Sequence, residues 1–302
     1  MESFSAKTKR ELCRAPISRA CCAAAECYGA LLLGNTFTGR ALRIVTTHRA
    51  FAERLPPLFR EAFGLEPGGE AKAEPGGKQI VSVTKPEDVR KIRMTYGYGE
   101  HDELALHLNL ANLERECCLA SFWRGAFLAG GTVNSPEKKY HLEIATPHRF
   151  LARELMALLR ESGLEAGHTE RAGVQVLYFK ASESIEDFLT LAGAPASALT
   201  LMSAKVEKDL RNQINRRVNC DSANLDKTVA SSGRKRDGIL RLRQSDMWDK
   251  LPEPLRRAAG ARLEYPEDSL SQLAERLGIS KSCLNHRLRR LEALAGDGVC
   301  PN

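Results

Sequence analysis

Several features that would point directly to a function are missing from this 302-residue chain. No run approaches the roughly 18 apolar residues that a membrane-spanning helix needs, and residues 1–19 lack the apolar core of a signal peptide. The nine cysteines form no CxxC pair and no Cys/His set with zinc spacing. No GKS or GKT follows the glycine pairs, which excludes a P-loop. We therefore expect a cytoplasmic protein without a membrane span, a cofactor or a metal site.

The first two thirds of the chain have almost no excess charge of either sign. Residues 1–204 hold 25 lysines and arginines against 24 acidic residues, whereas residues 205–302 hold 20 against 14. Of the formal net charge of +7, a surplus of +6 therefore lies in the last third. This asymmetry favours a polyanionic partner such as nucleic acid for the C-terminal part, although an ordinary solvated surface would also carry it.

An internal repeat organises the rest of the chain. The pair Cys21-Cys22 recurs 96 residues later as Cys117-Cys118, and each pair begins an apolar helix pattern. After a four-residue insertion the match resumes at an offset of 100, where residues 46–49 (TTHR) pair with residues 146–149 (TPHR). Repetition over this length indicates two copies of one structural unit. The two copies cover about residues 21–84 and 117–180.

Each copy predicts the same order of helices and strands. The first copy predicts a helix from Cys21 to a break at Gly34-Asn35, followed by a strand within residues 37–45. A second helix over 48–63, capped by Gly64, leads to a mobile loop or hairpin over 65–78. A strand over 79–84 and a helix over 86–93 complete this copy. The second copy predicts helices over 117–129 and 147–162 with a cap at Gly163, strands near Thr132 and over 140–145 and 175–180, and a short helix over 184–191. Residues 4–13 add a helix in front. These patterns predict an α+β domain over residues 1–204, with a mainly antiparallel sheet and a pseudo-twofold axis.

Small residues on the first helix of each copy allow the two helices to meet at this axis. They are Gly29, Ala30, Gly125, Ala126 and Ala129. A duplicated helix of this kind, ending near Gly130-Gly131 and followed by a hairpin, resembles the LAGLIDADG homing-endonuclease fold. In that family the paired helices stand behind a saddle-shaped sheet that lies along DNA. The end of each helix carries an acidic residue that holds a divalent metal for phosphodiester cleavage.

The resemblance places those two acidic positions at Gly34 and Gly130, and neither copy has a carboxylate there. Metal-assisted hydrolysis needs hard oxygen ligands, which glycine cannot supply. Other acids such as Glu26 or Glu143 would have to be recruited in a different geometry. We therefore predict no catalytic residues, and we interpret Gly130-Gly131 as a tight helix-to-strand turn.

Two other repeated pairs have a structural and a functional interpretation. The doubled cysteines at each helix start are interpreted as small buried thiols, with a metal or redox role as the alternative. The pairs His48-Arg49 and His148-Arg149 follow a threonine at a helix start. Helix capping followed by a solvated polar turn is therefore preferred to a catalytic role for them.

Residues 205–236 are predicted to link two domains. Asparagine is dense in residues 211–228 (RNQINRRVNCDSANLDKT), which disfavours an isolated helix. The asparagine side-chain amides of this segment can form hydrogen bonds with backbone groups of the protein or with a phosphate backbone. The sequence does not distinguish these two alternatives. The candidate phosphate contacts are Arg211, Arg216 and Arg217. Residues 231–236 (SSGRKR) predict a basic, flexible hinge at the domain boundary.

Short helices separated by proline predict an all-α domain over residues 237–302, with helices over 238–249, 253–263, 269–277 and 280–294. The last two have the helix-turn-helix arrangement, with Gly278 in the turn and Ser280 as the cap. The outward face of the last helix carries Lys281, Ser282, Asn285, His286, Arg287, Arg289 and Arg290. Asparagine can pair with adenine, arginine with guanine, and serine or lysine with phosphate. The alternative is a basic helix that contacts protein, and the intact turn motif favours DNA.

Taken together, these parts resemble the bacterial WhiA family over nearly the whole chain. The segments NRRVNCDSANLDKT (residues 215–228) and SKSCLNHRLRRL (residues 280–291) are the most specific. The resemblance implies a nucleoid-associated transcription regulator of sporulation, cell division and chromosome segregation, without nuclease activity. Its implied partners are double-stranded DNA at promoters and a second transcription regulator or RNA polymerase. The alternative from another class is a scaffold in cell division whose basic tail docks on an acidic partner.

Overall fold

The computed structural model describes residues 2–70, 77–99 and 106–296. By its internal contacts the chain divides into two compact units, Met1–Asp209 and Leu210–Asn302. The loop predicted over residues 65–78 lies partly outside the described residues. Its described part includes a short strand, Gly68–Glu70, which pairs with the strand that follows it and so favours the hairpin.

The first unit uses one arrangement of helices and strands twice, as the α+β prediction requires. After α1 (Phe4–Leu12), the first copy consists of α2 (Ala20–Leu32), β1 (Thr36–Phe37), β2 (Leu42–Thr46), α3 (Arg49–Phe63), β3 (Gly68–Glu70), β4 (Gln79–Val83) and α4 (Pro86–Thr95). A short 3-10 helix (Leu110–Leu113) leads to the second copy. That copy consists of α5 (Glu116–Gly130), β5 (Gly131–Val133), β6 (Leu142–Thr146), α6 (Arg149–Glu161), β7 (Gly167–Arg171), β8 (Val174–Phe179) and α7 (Ser182–Ala192).

The two copies form two antiparallel four-stranded sheets of identical topology. Their strand orders are β1-β2-β4-β3 and β5-β6-β8-β7. Leu42 lies opposite Val83 in the first sheet, and Leu142 lies opposite Phe179 in the second. The edge strand β3 belongs to the hairpin that the sequence allows over residues 65–78. The edge strand β7 is not among the predicted strands, because its sequence, GHTER, has weak strand propensity. Pairing with β4 and β8 holds both edge strands in the sheets.

The helices α2 and α5 pack so closely that glycine is required at their crossing. A Cβ atom on Gly29 would lie 2.1 Å from the carbonyl oxygen of Phe122, and one on Gly125 would lie 2.0 Å from that of Glu26. Each contact is the counterpart of the other under the 96-residue offset. The expectation that small residues let these helices meet at a pseudo-twofold axis is therefore confirmed.

Local hydrogen bonds account for the repeated polar residues at the starts of α3 and α6. The Oγ1 atoms of Thr46 and Thr146 accept hydrogen bonds from the backbone N–H groups of His48 and His148, at 3.0 and 3.3 Å. His48 is the N-cap of α3, and its Nδ1 accepts a hydrogen bond from the N–H of Phe51. These bonds satisfy backbone donors that a helix start leaves open. They support the capping interpretation of this repeated sequence.

The longest helix, α8 (Pro195–Arg243), corrects the prediction of a flexible hinge over residues 231–236. It continues through the asparagine-rich segment and through residues 231–236, where the sequence predicts a flexible hinge. Helix propensity is a weak determinant, since asparagine costs at most about 0.7 kcal/mol per residue relative to alanine, and no proline occurs between residues 196 and 243. Although α8 has 49 residues, neither it nor any other helix in the described ranges is long and apolar enough to cross a membrane.

The second unit ends in the predicted helix-turn-helix. Its helices after α8 are α9 (Glu253–Glu264), α10 (Leu270–Arg276) and α11 (Lys281–Gly296). A helix predicted over residues 238–249 is helical only as far as Arg243, where α8 ends, and turns follow. The core of this unit is formed by apolar side chains from all four helices, among them Ile239, Leu255, Ala259, Leu273, Ala274, Leu284, Leu288 and Leu291.

Candidate nucleic-acid interface

The turn before α11 has the geometry that the sequence predicts. Gly278 is left-handed, with a φ of 63°, and the N–H of Ile279 donates to the carbonyl oxygen of Ala274 at 3.0 Å. The Oγ of Ser280 then accepts a hydrogen bond from the N–H of Cys283 at 3.2 Å. A left-handed glycine ends one helix and a serine caps the next, so α10 and α11 are joined by a short, defined turn.

Two sets of polar contacts hold the start of α10. Ser269 and Gln272 form a capping box, in which each side chain accepts from the other residue's backbone N–H. Arg262 of α9 is 4% exposed, and its Nη1 donates to the carbonyl oxygen of Asp268 at 2.7 Å. The Asp268 carboxylate pairs with Arg276 at 2.6 Å. These contacts fix the angle between α9 and α10, and hence the platform on which α11 rests.

Substitution of Ser269 by alanine is expected to destabilise the second unit by about 1 kcal/mol, because it removes one bond of the capping box. The matched control is Ser271→Ala on the exposed surface of the same helix, which makes no cap contact. Chemical unfolding followed by circular dichroism measures both. Equal stability of the two variants would show that the box contributes nothing.

The helix α11 has an apolar face and a polar face. Leu284, Leu288, Leu291 and Ala295 are buried in the core of the unit. Of the seven predicted contact residues, Lys281, Ser282, His286, Arg289 and Arg290 are exposed, and Asn285 and Arg287 are half-buried. With about 100° of rotation per residue, Ser282, His286 and Arg289 form a row opposite the core, Asn285 flanks it on one side, and Arg290 and Arg287 flank it on the other.

The cations on α11 are available to a partner. Among the described residues of this unit, one ion pair is formed, between Arg276 and Asp268. The basic side chains of α11 form no ion pair with any described residue. Phosphate oxygens and the acceptor atoms of guanine are the partners that free guanidinium groups bind in nucleic acids. The polar face of α11 can therefore take a polyanion without breaking an internal ion pair.

The three candidate phosphate contacts on α8 do not form one surface. All three arginines are exposed. On a regular helix, Arg216 points about 140° from Arg211 in one direction around the axis, and Arg217 points about 120° from Arg211 in the other direction. Arg211, Arg216 and Arg217 therefore stay candidates for separate phosphate contacts. Exposed apolar residues instead recur every fourth position along this part of α8, at Val206, Leu210, Ile214 and Val218.

The positions at which the resemblance places the family's acidic residues are packed tightly against backbone. A Cβ on Gly130 would lie 2.8 Å from the carbonyl oxygen of Ala145, and one on Gly34 would lie 3.0 Å from that of Ala30. Gly130 is the last residue of α5 and Gly131 begins β5. A tight helix-to-strand turn therefore describes Gly130-Gly131, as the sequence predicts.

The other two acids considered as metal ligands are already paired. Glu26 is 2% exposed; its carboxylate accepts two hydrogen bonds from Arg54, at 2.5 and 2.8 Å, and one from Arg124 at 3.2 Å. Glu143 contacts His141 at 3.1 Å and Arg171 at 3.3 Å. Neither carboxylate can hold a divalent metal unless its ion pairs are broken.

One cluster brings together cysteines whose pattern favours small buried thiols, with a metal or redox role as the alternative. In the described ranges, the close set of three side chains able to ligate a metal consists of Cys21, Cys22 and Cys117. The signal in the sequence is the repeat itself, because a pseudo-twofold axis between α2 and α5 brings equivalent positions of the two copies close together. Because Cys21 and Cys117 are 96 residues apart, their contact cannot be predicted unless the crossing of α2 and α5 is known.

Comparisons with known proteins agree with the two-unit architecture. The WhiA LAGLIDADG-like domain model matches residues 119–211, and the WhiA C-terminal HTH domain model matches residues 214–295. A probable cell division protein WhiA from Ruminiclostridium cellulolyticum is 37% identical over 303 residues, covering 97% of each chain. Another from Desulforudis audaxviator is 39% identical over 307 residues, covering 97% of this chain and 96% of the relative.

A solved structure extends the similarity to three dimensions. The crystal structure of full-length DUF199/WhiA from Thermatoga maritima superposes with a TM-score of 0.58 at 25% identity, and the match covers 98% of this chain and 99% of that one. A crystal structure of the N-terminal LAGLIDADG domain of DUF199/WhiA matches 64% of this chain and 94% of that one, with a TM-score of 0.50 at 20% identity, which shows a shared fold. Both domain models match, and the relatives above 30% identity span nearly the full length, so the chain belongs to the WhiA family.

Proposed function

We propose that this protein is a transcription regulator that binds double-stranded DNA through α11 and acts in cell division, without cutting the DNA. The observation that carries the proposal is the polar face of α11, which follows a defined helix-turn-helix turn and presents cations that form no ion pair with any described residue. The names of its relatives, probable cell division protein WhiA, support the biological setting. The protein would work in the cytoplasm on the nucleoid, with further roles in chromosome segregation and sporulation where the host has them.

The position of each side chain on α11 gives it a role on DNA. An α-helix with its side chains is about 10–12 Å across, which matches the width of the major groove. The row of Ser282, His286 and Arg289 faces the base edges, and Asn285 reaches them from one side. Lys281 and Arg290 lie outside this row and reach the phosphates. On a promoter, the bound protein would meet RNA polymerase or a second transcription regulator.

The N-terminal unit adds little to DNA affinity in this proposal. Its charge is almost balanced, and polar side chains on its second sheet pair with one another. His168 contacts Gln175 at 2.9 Å, Gln175 donates to Glu170 at 2.8 Å, and Arg171 pairs with Glu143. Counterion release, which drives DNA affinity, needs free cations. Glycine in place of a carboxylate at positions 34 and 130 supports a unit that does not hydrolyse DNA.

The test combines two alanine substitutions on α11. Arg289→Ala with Arg290→Ala is expected to abolish preference for specific genomic fragments, because Arg289 supplies a base contact worth about 1–3 kcal/mol of discrimination. The loss of the Arg290 phosphate contact is expected to weaken binding to all fragments. Fluorescence anisotropy of the full-length protein over a salt series measures both affinity and selectivity. The matched control is Arg256→Ala with Arg257→Ala, which removes two exposed cations from α9 and is expected to leave selectivity unchanged.

Three outcomes would contradict the proposal in different ways. Selectivity that survives in the Arg289/Arg290 variant would show that α11 is not the recognition helix. No binding by the unmodified protein at physiological salt would favour the scaffold that docks on an acidic protein. Cleaved DNA on a gel after incubation with Mg²⁺ would show that the N-terminal unit is a nuclease despite Gly34 and Gly130.

A further inference from the structure

Four cysteines meet where α2 and α5 begin. The Sγ atoms of Cys21, Cys22 and Cys117 all lie within 4.8 Å of one another, and Cys118 interacts with Cys21 and Cys117. Cys22 and Cys118 are buried, while Cys21 and Cys117 are half-buried. The two pairs are equivalent under the 96-residue offset, so the axis that relates α2 to α5 sets one pair against the other.

The cluster lies at two helix starts that favour negative charge. The first N–H groups of a helix have no intrahelical acceptor and carry partial positive charge. No side chain caps the start of α2 at Arg19 or that of α5 at Arg115. The uncapped N–H groups at both helix starts therefore favour thiolates, the form that binds metals.

We propose that Cys21, Cys22 and Cys117 bind one zinc ion, with Cys118 as the fourth ligand. Zinc takes four ligands in a tetrahedron with Zn–S distances of about 2.3 Å, which places the sulfur atoms about 3.8 Å apart. Sulfur atoms that lie within 4.8 Å of one another reach this spacing with side-chain movements of about 1 Å. Thiolate ligands select zinc over the hard cations Mg²⁺ and Ca²⁺.

The bound ion would join the two copies of the repeat at the end of the helix pair opposite to Gly34 and Gly130. Two of its ligands come from α2 and two from α5, so the ion fixes the first turns of both helices. Because such a site does not exist in the unfolded chain, metal binding also stabilises the fold. The N-terminal unit would then use a metal to hold its structure at one end of the helix pair, while the acids of a nuclease site are missing from the other.

A purely apolar role for these thiols does not explain their arrangement. Cys27 in the same helix shows that role, since it is completely buried in the core. Cys21 and Cys117 instead remain half-buried at the helix starts, which gives an ion a path to the site. Thiols gathered this closely lose the dispersion contacts that carbon neighbours would provide, and they gain a common ligand.

The test is a titration of the reduced, chelator-treated full-length protein with Co²⁺, which reports the ligands of zinc sites by its colour. The expected result is one Co²⁺ per chain, with thiolate charge-transfer bands in the near ultraviolet and strong visible bands of a tetrahedral site. Addition of Zn²⁺ is expected to bleach these bands and to raise the midpoint of thermal unfolding. A reduced protein that binds no Co²⁺ would overturn the proposal.

Cysteine variants identify the ligands. Cys21→Ser, Cys22→Ser and Cys117→Ser are each expected to weaken Co²⁺ binding by more than about 100-fold, beyond the 10- to 100-fold cost of losing an outer contact. Cys118→Ser is expected to change the visible spectrum, because an oxygen replaces the fourth sulfur. The matched control is Cys13→Ser in the same unit, where burial raises the thiol pKa to about 12; it is expected to bind as the unmodified protein does. An unchanged spectrum in the Cys21→Ser/Cys117→Ser variant, folded by circular dichroism, would overturn the assignment.

Discussion

Replacing Gly125 by alanine is expected to lower the free energy of unfolding of the N-terminal unit by more than about 3 kcal/mol. Overpacking a core costs about 1–3 kcal/mol where flexible side chains can move aside. Here the added Cβ would lie 2.0 Å from the carbonyl oxygen of Glu26 and 2.9 Å from the backbone nitrogen of Ala30. Backbone atoms of a packed helix cannot turn away, so α2 and α5 would have to separate and open the core between them.

Tryptophan fluorescence can follow this unit alone. Trp123 in α5 is completely buried, and a Trp248→Phe background removes the signal of the second unit. In urea unfolding, the matched control is Gly260→Ala in α9, where a Cβ meets no atom within 4 Å. That substitution is expected to stabilise the second unit by about 0.5–1 kcal/mol, because alanine is the better helix former, and circular dichroism measures it.

The counterpart contact at Gly29 gives a second check. Gly29→Ala is expected to cost about as much as Gly125→Ala, because its Cβ would lie 2.1 Å from the carbonyl oxygen of Phe122. The double variant is expected to lose less than the two single losses together, since one substitution already separates the helices. A loss below about 1 kcal/mol for either single variant would show that the helices do not cross this closely.

Replacing Glu26 by alanine is expected to destabilise the same unit by about 3–5 kcal/mol. Removing one member of a buried ion pair leaves the opposite charge in the interior without compensation. Glu26 pairs with both Arg54 and Arg124, and Arg54 is 7% exposed. The carbonyl oxygens of Cys13 and Ala15 would still accept from Arg54, but they carry no charge to balance the guanidinium.

An exposed ion pair provides the control for this second prediction. Arg49 and Glu53 form an i,i+4 pair on α3 at 2.7 Å, with both side chains largely exposed. Glu53→Ala is expected to cost no more than about 0.5 kcal/mol, and the cost should shrink further in high salt. Urea unfolding at low and high salt compares the two variants. A Glu26→Ala variant as stable as Glu53→Ala would contradict the burial and pairing of this carboxylate.

Local patterns in the chain predict most of the elements of the first unit. The helix ends at Gly64 and Gly163 have positive φ values of 66° and 76°, as the cap assignments require, because a left-handed residue favours glycine wherever it occurs. The same holds for Gly278 before α11. Caps and turns depend on a few neighbouring residues, so they can be predicted from the sequence without knowledge of the fold.

Pairing partners and long-range support are harder to predict. The edge strand β7 has the polar sequence GHTER, and it exists because β8 offers a row of backbone partners. The helix α8 runs through residues that individually disfavour a helix. In both elements a small local preference, a few tenths of a kcal/mol per residue, is outweighed by contacts or by continuation of a structure begun elsewhere.

The candidate DNA-binding face was accessible from sequence because all its residues lie on one helix. Periodicity along α11 separates Leu284, Leu288 and Leu291 from the polar side chains, and the structure buries those leucines. The three arginines on α8 illustrate the limit of this approach. Their assignment to a flexible linker left their directions open, and the regular helix turns them to different sides.

The sequence alone determined the duplication, the order of elements, the caps and the polar face of α11, since each depends on spacing within one segment. Tertiary structure alone decided which distant residues touch. It placed Gly29 and Gly125 so close to the opposing backbone that an added Cβ would clash. It also enclosed Glu26 between two arginines and brought Cys21, Cys22 and Cys117 within 4.8 Å of one another. These contacts join residues about 30 to 100 positions apart, and only the packing of α2 against α5 and α3 brings them together, because chain separation carries no information about distance in a folded core.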